Sequence, residues 1–120
     1  MSEPSRASIE RVSTHLLDTG AGRPAAGVEV SLEQLRPDGT ATAVGGGVTD
    51  ADGRVAQLNA EPLEPGEYRL VFVTADYFRA VHGAMFYPRI AVSVLLPATR
   101  AHFHIPVLAS TYSYSTYLGS

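Results

Sequence analysis

Short segments in which apolar and polar residues alternate constrain this fold more than any other feature of the chain. The clearest is GEYRLVFVT, residues 66–74, where Tyr68, Leu70 and Phe72 would lie on the same side of an extended strand. Similar segments recur between turns rich in Gly, Pro and Asp, at a spacing typical of a β-sandwich. The sequence therefore predicts an all-β fold.

About eight short strands are predicted in total. They fall within residues 9–18, 28–35, 40–58 (two strands), 66–74, 90–97, 100–108 and 111–117. The glycines Gly45 to Gly47 are expected to interrupt the third and fourth of these strands. The Asp52-Gly53 turn then leaves Arg54 at the start of a strand.

One short helix is predicted in TADYFRAVHG, residues 74–83. Thr74 or Asp76 provides an N-terminal cap, good helix formers follow, and Gly83 closes the segment. His82, near the helix C-terminus, is expected to face solvent, where the helix dipole favours a cationic side chain.

Length and composition favour a single compact domain. The chain has 120 residues, of which 45% are hydrophobic and 18% charged, enough to bury one core. We expect residues 1–8 to be a flexible polar N-terminus and residues 9–120 to form the domain.

Charge and residue usage exclude several function classes. A net charge of −3 gives no basic surface for nucleic acid, and no apolar run has the length of a membrane span or signal peptide. The chain has no Cys, and its nine basic residues are all Arg, which excludes thiolate chemistry and lysine Schiff bases. These features predict a cytoplasmic protein without a nucleic-acid or membrane partner.

Two histidines share one strand face in the segment HFH. His102 and His104 are two residues apart, so both point to the same side of a sheet. They could divide acid and base roles near neutral pH, or bind a metal with His15 as third ligand. They could also be ordinary surface or packing residues, and the spacing alone leaves all three open.

Three motifs carry a family resemblance. STHLLDTGAGRPAAGV (13–28), TDADGR (49–54) and HFHIPVLASTYSYSTYLGS (102–120) resemble, in the same order, the signatures of the transthyretin-related 5-hydroxyisourate hydrolases. GEYRLVFVTADYF and MFYPRI resemble the intervening strands and helix of that family. The resemblance covers residues 9–120.

The resemblance implies a fold, an assembly and a site. It implies a transthyretin-like β-sandwich, a homotetramer built as a dimer of dimers, and hydrolytic ring opening of 5-hydroxyisourate without a metal or organic cofactor. The catalytic candidates that it implies are His15, Arg54, His104 and Ser120. The substrate-binding candidates are Tyr117, Leu118, Gly119 and His102. His15 and His104 are then expected to be the acid-base pair, in undecided order, with Arg54 as the oxyanion or substrate clamp.

The chain departs from the family at its C-terminal tail. The family ends Tyr-Arg-Gly-Ser, whereas this chain has Leu118 after Tyr117, and Thr111 stands where the family usually has Pro. Leu118 removes a fixed positive charge and adds apolar surface. Three functions are therefore considered: an ordinary hydroxyisourate hydrolase, a diverged enzyme for another cyclic amide or cyclising intermediate in a biosynthetic pathway, and a non-catalytic small-molecule binder.

Overall fold

The computed structural model describes residues 9–120, so the predicted flexible N-terminus, residues 1–8, lies outside the described part. The elements are β1 (Arg11–Asp18), β2 (Arg23–Pro24), β3 (Glu29–Leu35), β4 (Ala41–Val48), β5 (Arg54–Val55), β6 (Gly66–Val73), α1 (Ala75–His82), β7 (Arg89–Leu96), β8 (His102–Ala109) and β9 (Tyr114–Thr116). β2 is a two-residue strand that lies between the predicted strands 9–18 and 28–35.

Two sheets form the sandwich. One has the order β2-β1-β8-β9, with β5 also paired to β1, and the other has the order β4-β3-β6-β7. Most neighbouring strands are antiparallel, but β1 and β8 run parallel over their whole length, from Arg11 opposite His102 to Asp18 opposite Ala109. The predicted all-β sandwich with one short helix is confirmed.

The core lies between the two sheets and follows the predicted alternation. In β6, Tyr68, Leu70 and Phe72 are buried to 1% exposure or less, and the strand pairs on both sides. In β1, Val12 and Leu16 are fully buried on the core face. The opposite face of β1, which carries Ser13, is therefore free for polar chemistry.

The prediction that Gly45 to Gly47 interrupt a strand is wrong, because β4 runs through all three glycines. The backbone of Leu58 packs directly on them: the Gly46 amide donates to the Leu58 carbonyl at 2.8 Å. A Cβ on Gly45 would lie 1.8 Å from that carbonyl oxygen, and one on Gly47 would lie 2.8 Å from a methyl group of Val55. The glycines therefore permit a close backbone approach within the strand.

Helix α1 begins after Thr74 and ends at Gly83, which has a left-handed conformation. Thr74 is the N-cap residue, but its hydroxyl donates to the carbonyl of Tyr87 at 2.7 Å and makes no capping hydrogen bond. The helix is too short and too polar to cross a membrane, and it is the single helix of residues 9–120.

The expectation that His82 faces solvent is wrong. Nε2 of His82 lies 2.7 Å from Oδ2 of Asp18, whose side chain is fully buried. The same oxygen accepts from the Tyr77 hydroxyl at 2.7 Å. Burial alone would raise the pKa of Asp18, but hydrogen bonds from Tyr77, His82 and the Ala21 amide lower it. This buried carboxylate ties α1 to the end of β1.

Candidate active site

The parallel pairing of β1 with β8 builds one polar strip across the outer face of the sheet. Register places Arg11 opposite His102 and Ser13 opposite His104. Residues directly opposite each other on paired strands point to the same side. His102 and His104, which were predicted to share a face, are joined on it by Arg11 and Ser13. These two residues come from a strand about ninety residues earlier in the chain.

An open cleft of about 340 Å³ lies over this strip and is called the histidine cleft below. It is lined by Arg11, Ser13, Thr14, Arg54, Val55, Ala56, His102, His104 and Ser120. Four of the predicted site residues, Arg54, His102, His104 and Ser120, thus meet in one place.

Ser13 bridges the two histidines. Its Oγ lies 2.7 Å from Nε2 of His102 and 2.8 Å from Nδ1 of His104. At the far end of the strip, Nη2 of Arg11 lies 3.2 Å from Nδ1 of His102. Ser13 is buried, with 6% of its surface exposed. Both imidazole rings are therefore held in fixed orientations by side-chain contacts.

His15 is two residues beyond Ser13 on the same face of β1, and it is the register partner of Arg54 in β5. It does not line the histidine cleft itself. Among the buried side-chain nitrogens and oxygens of residues 9–120, only Nε2 of His15 has no hydrogen-bond partner. Such an atom costs free energy unless a ligand, water or another subunit pairs with it.

The electrostatics of the cleft keep its histidines neutral. Burial lowers the pKa of His104, and the proximity of the ionisable rings of His102 and His15 and of the guanidinium groups of Arg54 and Arg11 lowers it further. Burial and the positive charges of Arg11 and Arg100 lower the pKa of His102 in the same way. At neutral pH both rings are therefore uncharged hydrogen-bonding groups.

The C-terminal tail divides between two surfaces. The Gly119 amide donates to the His104 carbonyl at 2.8 Å, and a Cβ on Gly119 would lie 2.7 Å from Cδ2 of His104. A glycine here lets the tail lie against the catalytic candidate and brings Ser120 to the cleft. The unusual tail end is thus anchored to β8.

Tyr117 and Leu118 lie elsewhere. They line an apolar groove of about 460 Å³ between β7 and β8, with Leu95, Phe103 and Ile105 among its walls. Leu118 is 62% exposed there. The structure does not bring these two substrate-binding candidates to the histidine cleft of the same chain.

The alternative of a metal site was based on the same histidines. Within residues 9–120, no three His, Asp or Glu side chains converge as ligands for a metal ion. The ring centroids of His102 and His104 are 6.3 Å apart, with the Ser13 hydroxyl between the rings.

Sequence reasoning missed Arg11 and Ser13. A local signal for Ser13 exists, because it shares a strand face with His15 two residues away. No local signal shows which distant strand lies beside β1, so its contacts with His102 and His104 were not predictable.

Comparison with known proteins identifies the family of the chain. The transthyretin family profile, described as "HIUase/Transthyretin family", matches residues 12–119. The chain belongs to this family. A 5-hydroxyisourate hydrolase of Salmonella dublin is 44% identical over 110 residues, which cover 91% of this chain and 80% of that protein.

Solved structures of the family have the same fold. The 5-hydroxyisourate hydrolase of Klebsiella pneumoniae superposes with a TM-score of 0.80 at 34% identity, covering 93% of this chain and all of that one. Sea bream transthyretin in complex with thyroxine superposes with a TM-score of 0.82 at 27% identity, covering 91% and 94% of the two chains. The family thus includes an enzyme and a thyroxine-binding protein. The fold alone therefore does not decide between catalysis and binding, and the residues of the site must.

Proposed function

We propose that this protein is a hydrolase that opens the ring of 5-hydroxyisourate. The observation that carries the proposal is the meeting of Arg54, His104 and Ser120 in one open cleft. His15 lies beside Arg54, and its buried Nε2 has no hydrogen-bond partner within the described chain. A protein that only binds has no need for neutral imidazoles beside a guanidinium, whereas hydrolysis of a cyclic amide does.

The proposed reaction adds water across a ring amide bond. One imidazole takes a proton from water as its oxygen attacks the carbonyl carbon, and that proton then passes to the ring nitrogen as the C–N bond breaks. Arg54 stabilises the negative charge that develops on the carbonyl oxygen, because its planar fork suits the oxygens of a ureide. Ser120 is placed to orient the substrate or the water.

The position of Leu118 supports this function over the diverged alternative. The residue that departs from the family lines the apolar groove, and the histidine cleft is lined by other residues. The change from Arg to Leu thus lies outside the cleft lining of the single chain.

We infer that the protein assembles as a homotetramer in the cytoplasm. Leu95, Tyr117 and Leu118 are 75%, 57% and 62% exposed in the single chain and form one apolar surface. Apolar surfaces of this kind are typical of protein interfaces. The family resemblance implies that this assembly is a dimer of dimers.

The proposal is tested with freshly prepared 5-hydroxyisourate, whose loss is followed by ultraviolet absorbance. We expect the wild-type protein to increase the rate far above spontaneous decay, and His104→Ala to reduce turnover by about 10² to 10³-fold. A His104→Ala protein with unchanged turnover would show that the reaction occurs elsewhere.

A further inference from the structure

A chain of hydrogen bonds in the histidine cleft runs from Arg11 through His102 and Ser13 to His104. The Ser13 hydroxyl is its central link. Ser13 has a single hydroxyl proton, so it can donate to only one of its two imidazole neighbours and must accept from the other. The tautomer of one imidazole ring therefore determines the tautomer of the other.

Arg11 sets the direction of the chain. A guanidinium donates hydrogen bonds and accepts none, so Nδ1 of His102, at 3.2 Å from Nη2 of Arg11, must be the acceptor. A neutral imidazole carries one proton, and in His102 it must then lie on Nε2. This Nε2–H donates to Oγ of Ser13 at 2.7 Å.

The consequence for His104 follows directly. Because Ser13 accepts from His102, its own proton is donated to Nδ1 of His104 at 2.8 Å. The proton of the neutral His104 ring must therefore lie on Nε2. His104 lines the cleft, and it makes no side-chain hydrogen bond through Nε2 to the described part of the chain.

We propose that Arg11, His102 and Ser13 are positioning residues that hold His104 as its Nε2–H tautomer, so that His104 donates a hydrogen bond to the substrate carbonyl oxygen. The general base is then His15, whose buried Nε2 lacks a partner. This assignment deepens the proposed function, on which the roles in catalysis rest.

In the two-step reaction, His15 is the only group that carries the proton taken from water. In the first step a C–O bond forms, the carbonyl π electrons move to oxygen beside Arg54 and His104, and the water proton moves to Nε2 of His15. In the second step the electron pair on that oxygen re-forms the C=O bond, and the C–N bond breaks with its electron pair on nitrogen, which takes the proton from His15. His104 keeps its proton throughout, as neutral histidines that polarise a carbonyl do.

The low pKa values of His102 and His104 agree with this arrangement. Protonation of either ring would place a second donor against Arg11 or Ser13, where an acceptor is required. Burial and the surrounding positive charges lower both pKa values and so preserve the neutral chain.

The test is nitrogen NMR of the isotopically labelled full-length protein, at a pH above the histidine range. Protonated and unprotonated ring nitrogens differ widely in chemical shift, so each tautomer is read directly and without substrate. We expect His102 and His104 both to be protonated at Nε2 and unprotonated at Nδ1. A His104 ring protonated at Nδ1 would overturn the proposal.

Two variants test the direction of the chain. Ser13→Ala, a change with little loss of volume, should give His104 a mixture of tautomers and lower kcat by about 10- to 100-fold with little change in KM. Arg11→Met, at an exposed position, should give His102 a mixture of its two tautomers. Unchanged His104 tautomers in Ser13→Ala would contradict the proposal. Wild-type protein that shows the expected tautomers without hydrolysing 5-hydroxyisourate would refute the proposed function instead.

Discussion

His15 and Arg54 are register partners across β1 and β5, so backbone pairing sets an imidazole beside a guanidinium on one sheet face. The pairing brings the motifs STH and DGR, which lie far apart in the sequence, together at one place in the fold. The Asp50–Gly53 turn supports it, because Oδ1 of Asp50 accepts from the Arg54 amide at 2.9 Å. The position of this pair therefore depends on a turn as well as on the pairing of two strands.

The first prediction concerns the guanidinium of Arg54. Arg54→Gln should lower kcat/KM by about 10² to 10³-fold, because an oxyanion donor and its charge are lost. Arg79→Gln, on the exposed face of α1, is the matched control and should leave the rate unchanged. Initial rates with 5-hydroxyisourate measure both, and equal rates for the two variants would remove Arg54 from the site.

The second prediction separates the two histidines. A glutamine side-chain amide can replace an Nε2–H donor, but it cannot accept a proton as a base. His104→Gln should therefore lose only on the order of 10-fold in kcat, because a hydrogen-bond donor is kept. His15→Gln should lose about 10² to 10⁴-fold. Equal losses in the two variants would contradict the assignment of His15 as the base.

The third prediction concerns stability and pH. The folded protein lowers the pKa of both His102 and His104 below the ordinary value of 6.5. Burial is the main cause for each ring, with the nearby Arg11 charge disfavouring both cations. As the pH falls through 6.5, the unfolded chain binds protons that the folded chain does not, so the free energy of unfolding must decrease.

Denaturant unfolding at a series of pH values measures this effect. The decrease should begin as the pH falls through about 6.5 and end below the folded pKa values. The low pKa of Asp18 adds a separate loss only in the acid range, below about 4. His104→Gln should show a smaller decrease in the first window than wild type. A stability that is constant from neutral pH through this window would contradict the prediction.

The fourth prediction concerns the glycines of β4. Gly45→Ala should lower the free energy of unfolding by about 3 kcal/mol or more, because its Cβ would lie 1.8 Å from the Leu58 carbonyl oxygen. Gly66→Ala in β6 is the control, since the nearest atom to its Cβ lies at 3.9 Å, and it should change stability little. Similar unfolding midpoints would show that the segment near Leu58 can move away.

Local patterns in the sequence predict most of the fold. The alternation in residues 66–74 corresponds to β6, and the helix signals from Thr74 to Gly83 correspond to α1. Such features depend on neighbouring residues and are therefore visible in the sequence. The motif resemblance likewise indicates Arg54, His104 and Ser120, which line one cleft.

Contacts between distant segments explain what was not predicted. Gly45 is required by the backbone of Leu58 that packs on it, and His82 is turned inward by a buried carboxylate on β1. The bridge from Ser13 to the histidines depends on the parallel pairing of β1 with β8. No local composition encodes which strand becomes a neighbour, so these features needed the folded structure.

The most direct test of the account is the initial rate of 5-hydroxyisourate hydrolysis by the wild-type protein beside Leu118→Arg. Leu118 lines the apolar groove and not the histidine cleft, so we expect a fast wild type and a variant within about threefold of it. A wild type no faster than spontaneous decay, together with an active Leu118→Arg, would contradict the account. Residue 118 would then direct the site toward another substrate.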